Sequence, residues 1–202
     1  MSSPRTAVRQ YWVAIRAMLI FTVVLGVGYT AVITGIGQLA LPYQANGSAI
    51  TVGDATVGSA LIGQGFTDKK GKALPQWFQS RPSAAGSGYD ASASSGSNYG
   101  PENSDLITAV KERKAAIAQL DGVTSSSIPA DALTASSSGL DPHISPEYAL
   151  LQVERIARVR TLSVASVTKL VEDQIQAPDL GYLGQSRVNV LELNVALAKM
   201  KG

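Results

Sequence analysis

The residue order predicts an α+β protein with one N-terminal transmembrane helix, followed by an external domain of short strands and about four helices. Three observations predict it. No charged residue occurs between Arg16 and Asp54. β-Branched runs within residues 49–67 are broken by Gly53-Asp54 and Gly58. After Asn103, four stretches carry apolar residues at helical spacing behind a capping residue. Strands early and helices late fit segregated α+β layers, not an alternating α/β order.

The span is read as Ala17–Leu41, AMLIFTVVLGVGYTAVITGIGQLAL. As a helix rising ~1.5 Å per residue it reaches roughly 37 Å, against an apolar slab of about 30 Å. Backbone groups inside lipid must pair within the segment, which leaves a helix as the one option for a single crossing. Pro42 is expected to end it. Tyr11, Trp12 and Tyr43 sit where interfacial aromatic belts form. A cleaved secretory signal would have a shorter apolar core and a small-x-small site, and Gln38-Leu39-Ala40 and Tyr43-Gln44-Ala45 lack the first small residue. The span is therefore expected to remain as an anchor. Arg5, Arg9 and Arg16 precede it and no basic residue follows before Lys69. The positive-inside rule then places residues 1–16 in the cytoplasm and 42–202 outside, in single-pass form. Thr22, Gly26, Thr30, Thr34 and Gln38 recur every four residues, with Ala31 and Gly35 beside them. Such a small-residue stripe suits close approach of a partner helix.

The external part is nearly neutral, with 14 Lys and Arg against 15 Asp and Glu. It carries no electrostatic footprint for nucleic acid. The absence of cysteine excludes disulfides, thiolate metal sites and a Cys nucleophile. Residues 49–67 predict two strands and a turn. Residues 83–101, rich in Ser, Gly and Ala, read as a flexible loop. Asn103 caps a helix to about Leu120, stopped by Gly122, with Leu106, Ile107, Val110, Ile117 and Leu120 on one face. Ser145-Pro146 opens a second helix that buries Ala149, Leu150, Val153, Ile156 and Ala157 and turns Glu154, Arg155 and Arg158 to solvent. Ser163 caps a third, with Val164, Val167, Leu170, Val171 and Ile175 inward. Asn189 and Glu192 form a capping box for a fourth, which buries Leu193, Leu197 and Met200.

Chemistry-bearing motifs are sparse. His143, the single histidine, offers with Asp141 two metal ligands, fewer than a metal site needs. Asp-Pro-His-Ile-Ser-Pro reads as a turn into a capped helix more readily than as part of a triad. Gly58 to Gly63 has P-loop glycine spacing, but Gln64 and Gly65 stand where Lys and Ser/Thr are required. Asn46-Gly47-Ser48 matches a glycosylation sequon. No catalytic residue and no metal site is assigned, and no cofactor-binding residue is identified.

Six pieces in order carry a resemblance: YQANGS (Tyr43–Ser48), GSALIGQGF (Gly58–Phe66), WFQSRPSA (Trp77–Ala84), SGSNYGPEN (Ser95–Asn103), LTASSSGLDPHISPEYALLQVERIARVR (Leu133–Arg160) and GQSRVNVLELNVALAKM (Gly184–Met200). Behind one membrane span, from about Tyr11 to Lys199, the chain resembles the KdpC family, found in the Kdp-type potassium-transporting P-type ATPases of bacteria and archaea. It departs from the family at Ser95-Gly96, where paired glycines are usual, and at Ala198, often acidic. The resemblance implies a non-catalytic accessory subunit of a high-affinity potassium uptake pump. Its partners would be a channel-like potassium-selective subunit, a P-type ATPase catalytic subunit, a very small membrane subunit and the lipid bilayer. The chain would have no cofactor of its own, in a complex that uses ATP, Mg and potassium. The family is described as a catalytic chaperone raising the ATP affinity of the hydrolytic subunit. The arginine bias instead turns the domain away from cytoplasmic ATP, which suits stabilising or gating at the external mouth. The resemblance also makes residues 83–101 a loop ordered by a partner subunit. Family-motif or partner-contact candidates are Asn46, Gly47, Ser48, Gln64, Arg81, Pro82, Ser83, Ser97, Asn98, Asp141, Pro142, His143, Gln152, Arg155, Asn189 and Asn194. The competing reading is a membrane-anchored extracytoplasmic hydrolase or ligand-binding domain.

Overall fold

A computed structural model describes residues 4–200. The chain forms two compact units, residues 1–48 and 49–202.

The first unit is helical from Pro4 to Ala40: α1 (Pro4–Phe21), a π-helical stretch (Thr22–Tyr29) and α2 (Thr30–Ala40). Its apolar side chains stay outside any core, and none in Thr22–Ala40 is buried. That pattern is stable only against lipid or a partner. The candidate span is Ala7–Ala40, so helix extends well N-terminal to the uncharged run. Within the π stretch the hydrogen bonds reach one residue further than in an α-helix. Thr22 still neighbours Gly26, its methyl 3.9 Å from the would-be Cβ there. Pro42 does not simply stop the helix. It forces Leu41 off the helical conformation (φ −136°, ψ 53°) and then opens α3 (Pro42–Ala45) from its N1 position. The Gln38 and Asn46 amides exchange hydrogen bonds of 3.4 and 3.1 Å. Asn46 Nδ2 also donates to the Pro42 carbonyl at 2.6 Å, and the Tyr43 hydroxyl donates to the Ser48 carbonyl at 3.1 Å.

The second unit opens with the expected hairpin, β1 (Ala49–Val52) against β2 (Ala55–Ser59), antiparallel, with Gly53 (φ +60°) in the turn. Gly58 lies within β2 rather than ending it. A Cβ there would stand 2.2 Å from Gln64 Nε2 and 2.7 Å from a Leu191 methyl. The four capped helices appear. α4 (Ser104–Asp121) has Asn103 Oδ1 accepting from the Asp105 and Leu106 amides, and Gly122 ends it in the left-handed region. The helix opened by Ser145-Pro146 divides at Gln152 into α5 (Pro146–Leu151) and α6 (Val153–Arg160). α7 (Val164–Asp173) is capped by Ser163, and α8 (Val190–Ala198) by Asn189.

A small sheet joins them: β3 (His143–Ile144), β4 (Ile175–Gln176) and β5 (Arg187–Asn189), in the order β3-β5-β4 and all antiparallel. Strands this short carry no readable period, so they escape pattern analysis. The core between the sheet and α5–α8 holds Val153, Ile156, Val167, Val171, Val188, Leu193 and Leu197, with Phe78 from the irregular region.

Several expected faces shift. Ile175 belongs to β4, not to the helix before it. Leu150 and Val164 are largely exposed, at 40% and 51%. Arg155, expected in solvent, is 1% exposed. The Glu192 carboxylate accepts from Gln176 Nε2 at 3.3 Å.

Candidate functional site

The Ser/Gly-rich segment is not a free linker. It has no regular element, yet it packs on the Ser137–Gly139 turn of the same chain. Ser83 Oγ donates to the Gly139 carbonyl at 2.6 Å, Ser95 N to the Ser138 carbonyl at 3.0 Å, and Ala85 is fully buried. Gly139 (φ +68°) is required: a Cβ there would fall 2.6 Å from the Ser95 carbonyl oxygen and 2.7 Å from the Ala85 nitrogen. Short side chains let backbone meet backbone, so low-complexity composition here encodes contact.

Residues 75–79 are held by side chains standing in for a neighbouring strand. Asn194 Oδ1 accepts from the Phe78 amide at 2.9 Å, and its Nδ2 donates to the Phe78 carbonyl at 3.0 Å. Gln152 repeats the arrangement at Gln79, accepting at 2.7 Å and donating at 3.2 Å. Arg155 completes the hub. Its Nε donates to Asp121 Oδ1 at 2.6 Å, Nη2 to Gln152 Oε1 at 2.7 Å, and Nη1 to the carbonyls of Trp77 (3.0 Å) and Pro75. Burial holds the Asp121 carboxyl above its ordinary range, and the Arg155 guanidinium opposes only part of that rise. Gln152, Arg155, Asn189 and Asn194, singled out as motif residues, thus spend their polar groups inside this unit. Asn189 Nδ2 donates to the Ala60 carbonyl at 2.8 Å while its Oδ1 caps α8. The signal for Arg155 was its spacing, one helical turn after Gln152.

A second cluster is at the surface. Asp141 Oδ2 accepts from Arg81 Nη1 at 3.0 Å, and Oδ1 faces the His143 amide at 3.0 Å and His143 Nδ1 at 3.2 Å. Burial works to raise the Asp141 carboxyl, but the His143 donors and the Arg81 charge outweigh it and hold it below its usual range. Arg81 also donates to the Thr134 carbonyl. Asp141 is therefore a turn anchor with three donors to serve. Gln64 Nε2 donates to the Val57 carbonyl at 2.8 Å, and its carbonyl accepts from Ser80 Oγ at 2.7 Å. Pro142 is buried, Pro82 half-buried, and Ser97 and Asn98 are exposed, Asn98 with φ +54°. Gly63, part of the P-loop-like spacing, meets the Tyr89 ring at 2.4 Å and the Asp141 carbonyl at 2.6 Å from its would-be Cβ, so its role is close packing.

Arg81 lies between two clefts. One, of about 580 Å³, includes Asp131, Asp141, His143, Ser186 and Arg187. The other, of about 830 Å³, includes Lys72, Gln79, Tyr89, Arg113, Ile117 and Tyr148. Of those six, none was singled out from sequence for chemistry. They converge from residues 72–89, from α4 and from α5. Among the described residues no group of three His, Cys, Asp or Glu side chains is placed to hold a metal.

The order of these features matches a known family. A family model described as "KdpC: K+-transporting ATPase, c chain" matches residues 11–199. The chain belongs to the KdpC family. It is 53% identical over 186 residues to the "Potassium-transporting ATPase KdpC subunit" of Caulobacter vibrioides, covering 91% of this chain and 90% of that one. The protein of the same description from Beijerinckia indica is 50% identical over 181 residues, covering 90% and 89%. That of Mycobacterium bovis is 46% identical over 193 residues, covering 95% and 99%. The KdpC match takes in the apolar helix, the docked Ser/Gly segment and the polar hub alike.

Proposed function

We propose that this chain is an accessory subunit of an ATP-driven potassium uptake pump, anchored by one helix, whose external domain stabilises the assembled complex. The observation that carries the reading is the KdpC match across residues 11–199, which includes the apolar helix and the domain together. Potassium transport belongs to the relatives by their descriptions, and comes to this chain by that likeness. The partners are a channel-like potassium-selective subunit, a P-type ATP-hydrolysing subunit and a very small membrane subunit. ATP, Mg and potassium are used by the complex rather than held by this chain.

The orientation follows from the arginines. Residues 1–16 lie in the cytoplasm and the domain outside, which supports stabilising or gating at the external mouth over direct contact with cytoplasmic ATP. The face of Thr30, Thr34 and Gly35 on α2 supports a helix contact inside the bilayer. Gly35 leaves open space for 4 Å around its would-be Cβ. The internally docked 83–101 segment supports a preformed contact surface, in place of a loop that waits for its partner to order it.

Affinity purification of the tagged full chain from the membrane is expected to bring down two large multi-span subunits. Its deletion is expected to abolish growth at micromolar potassium. Recovery of the chain alone, with uptake intact in its absence, would overturn the reading. The chain lacks cysteine, so single-cysteine variants at Ser2 and Gly202 report topology. Labelling of Gly202→Cys by an impermeant thiol reagent in intact spheroplasts is expected, and labelling only after lysis would reverse the assigned orientation.

A further inference from the structure

The larger cleft of the domain is bordered by a phenol hydroxyl that no described protein group bonds. Tyr148, on α5, is 3% exposed and borders this cleft. Its backbone amide and carbonyl are engaged, but its hydroxyl has no hydrogen-bond partner among the described residues. Burial raises the hydroxyl far above its ordinary titration range, so it remains a donor. The hydroxyl is not sealed from solvent, so it is free to donate to a group that displaces water from the cleft.

The charge of the lining points the same way. Among the described residues Lys72, Arg81 and Arg113 line the cleft and no carboxylate does. Arg81 is compensated by Asp141 from the other side. Arg113 donates through Nη1 to the Leu133 carbonyl at 2.7 Å. Among the described residues neither Arg113 nor Lys72 has a carboxylate within ion-pair range. The rest of the wall is more apolar than polar, with Phe66 and Leu120 beside Thr67, Ser80 and Gln119. A volume of about 830 Å³ is that of a small-molecule site.

We infer that this cleft binds a small organic acid, its carboxylate set among Arg113, Lys72 and the Tyr148 hydroxyl and its apolar body along Phe66 and Leu120. Two uncompensated cations and a largely apolar wall suit one or two negative charges on a hydrocarbon body. A nucleoside triphosphate brings more charge than the cleft neutralises. The site is independent of the assembly role proposed above, since none of the side-chain groups that would meet the acid is bonded to the hub.

The test is titration calorimetry of the full chain in zwitterionic nanodiscs, with empty nanodiscs subtracted. Two probes separate the sources of such an acid: 3-phenylpropionate for a soluble aromatic acid and octanoate for a fatty acid. Saturable binding of either is expected, with 3-phenylpropanol and octanol failing to bind. Arg113→Gln is expected to weaken the acid about tenfold, and Tyr148→Phe about fivefold, because each removes one bond to a charged group. Ile117→Trp fills the cleft without changing its charge and is expected to abolish binding. Circular dichroism confirms that each variant folds. No binding of either acid at 10 mM would overturn the inference. So would unchanged affinity in folded Arg113→Gln and Tyr148→Phe, equal binding of the neutral alcohols, or binding of ATP with neither acid bound.

Discussion

The two units invert each other. In the helical unit Met18, Phe21 and Val27 are 62–70% exposed. In the second unit an arginine is 1% exposed and its aspartate partner 4%. The same physics produces both. Lipid accepts hydrocarbon and rejects unpaired polar groups, so a helix that satisfies its own backbone turns its apolar side chains outward. Water accepts charge, so a charge leaves it only when protein groups replace its hydration. Arg155 meets that condition through Asp121, Gln152 and two backbone carbonyls. The difference teaches that inside and outside are set by each unit's solvent, and that a charge in the wrong medium needs a complete set of partners.

Breaking the hub tests this most severely. Arg155→Leu strands Asp121 in the interior and releases residues 75–79, and is expected to cost about 3–5 kcal/mol of domain stability. Thermal unfolding of the full chain measures it. The double variant with Asp121→Leu is expected to recover part of the loss, since no lone charge then remains. A cost under about 1 kcal/mol for the single variant would make the hub incidental.

The reverse change in the helical unit is expected to be somewhat smaller. Leu25→Arg places a charge near the middle of the span at about 2.5–3.5 kcal/mol of insertion free energy. Membrane fractionation would show the chain shifting to the soluble or degraded pool, with the domain's own unfolding temperature unchanged. A matching loss of domain stability would show that the units do not respond separately.

Gly139→Ala sharpens the comparison within the second unit. It adds a Cβ into the Ser95 carbonyl and strains a backbone at φ +68°. The expected cost is about 1–3 kcal/mol, confined to the docked segment. Limited proteolysis is expected to cut the variant within residues 83–101 while the parent resists there. Equal cutting of both would return that stretch to a free linker.

The smallest effect is at the surface. Asp141→Asn is expected to cost about 1 kcal/mol, because its partners keep water as an alternative. The folded Asp141 titrates below its ordinary value, so its contribution is complete above the unfolded value of about 3.9 and is lost as pH falls through that value to the lower folded one. Acid unfolding is expected to show this decline in the parent and a shallower one in Asp141→Asn. Parallel curves would remove Asp141 as the cause.

The sequence alone determined what depends on neighbours in the chain. The uncharged run between Arg16 and Asp54 specified the apolar helix, and Asn103, Ser145, Ser163 and Asn189 specified helix starts that the structure reproduces, because capping is a contact between residues two or three apart. Gly53-Asp54 specified a hairpin for the same reason. Only the tertiary structure decided what depends on distant partners. The strands β3, β4 and β5 are too short to show a period and exist through one another. Arg155 reads as a solvent charge until Asp121, thirty-four positions away, is beside it. The Ser/Gly-rich stretch reads as a linker until Gly139 gives its backbone a surface without a side chain in the way. The cleft around Tyr148 draws Lys72, Tyr89 and Arg113 from separate stretches of chain. Local rules reach across one turn of helix or one hairpin, whereas a site assembled by long-range packing has no local sign beyond its residue types.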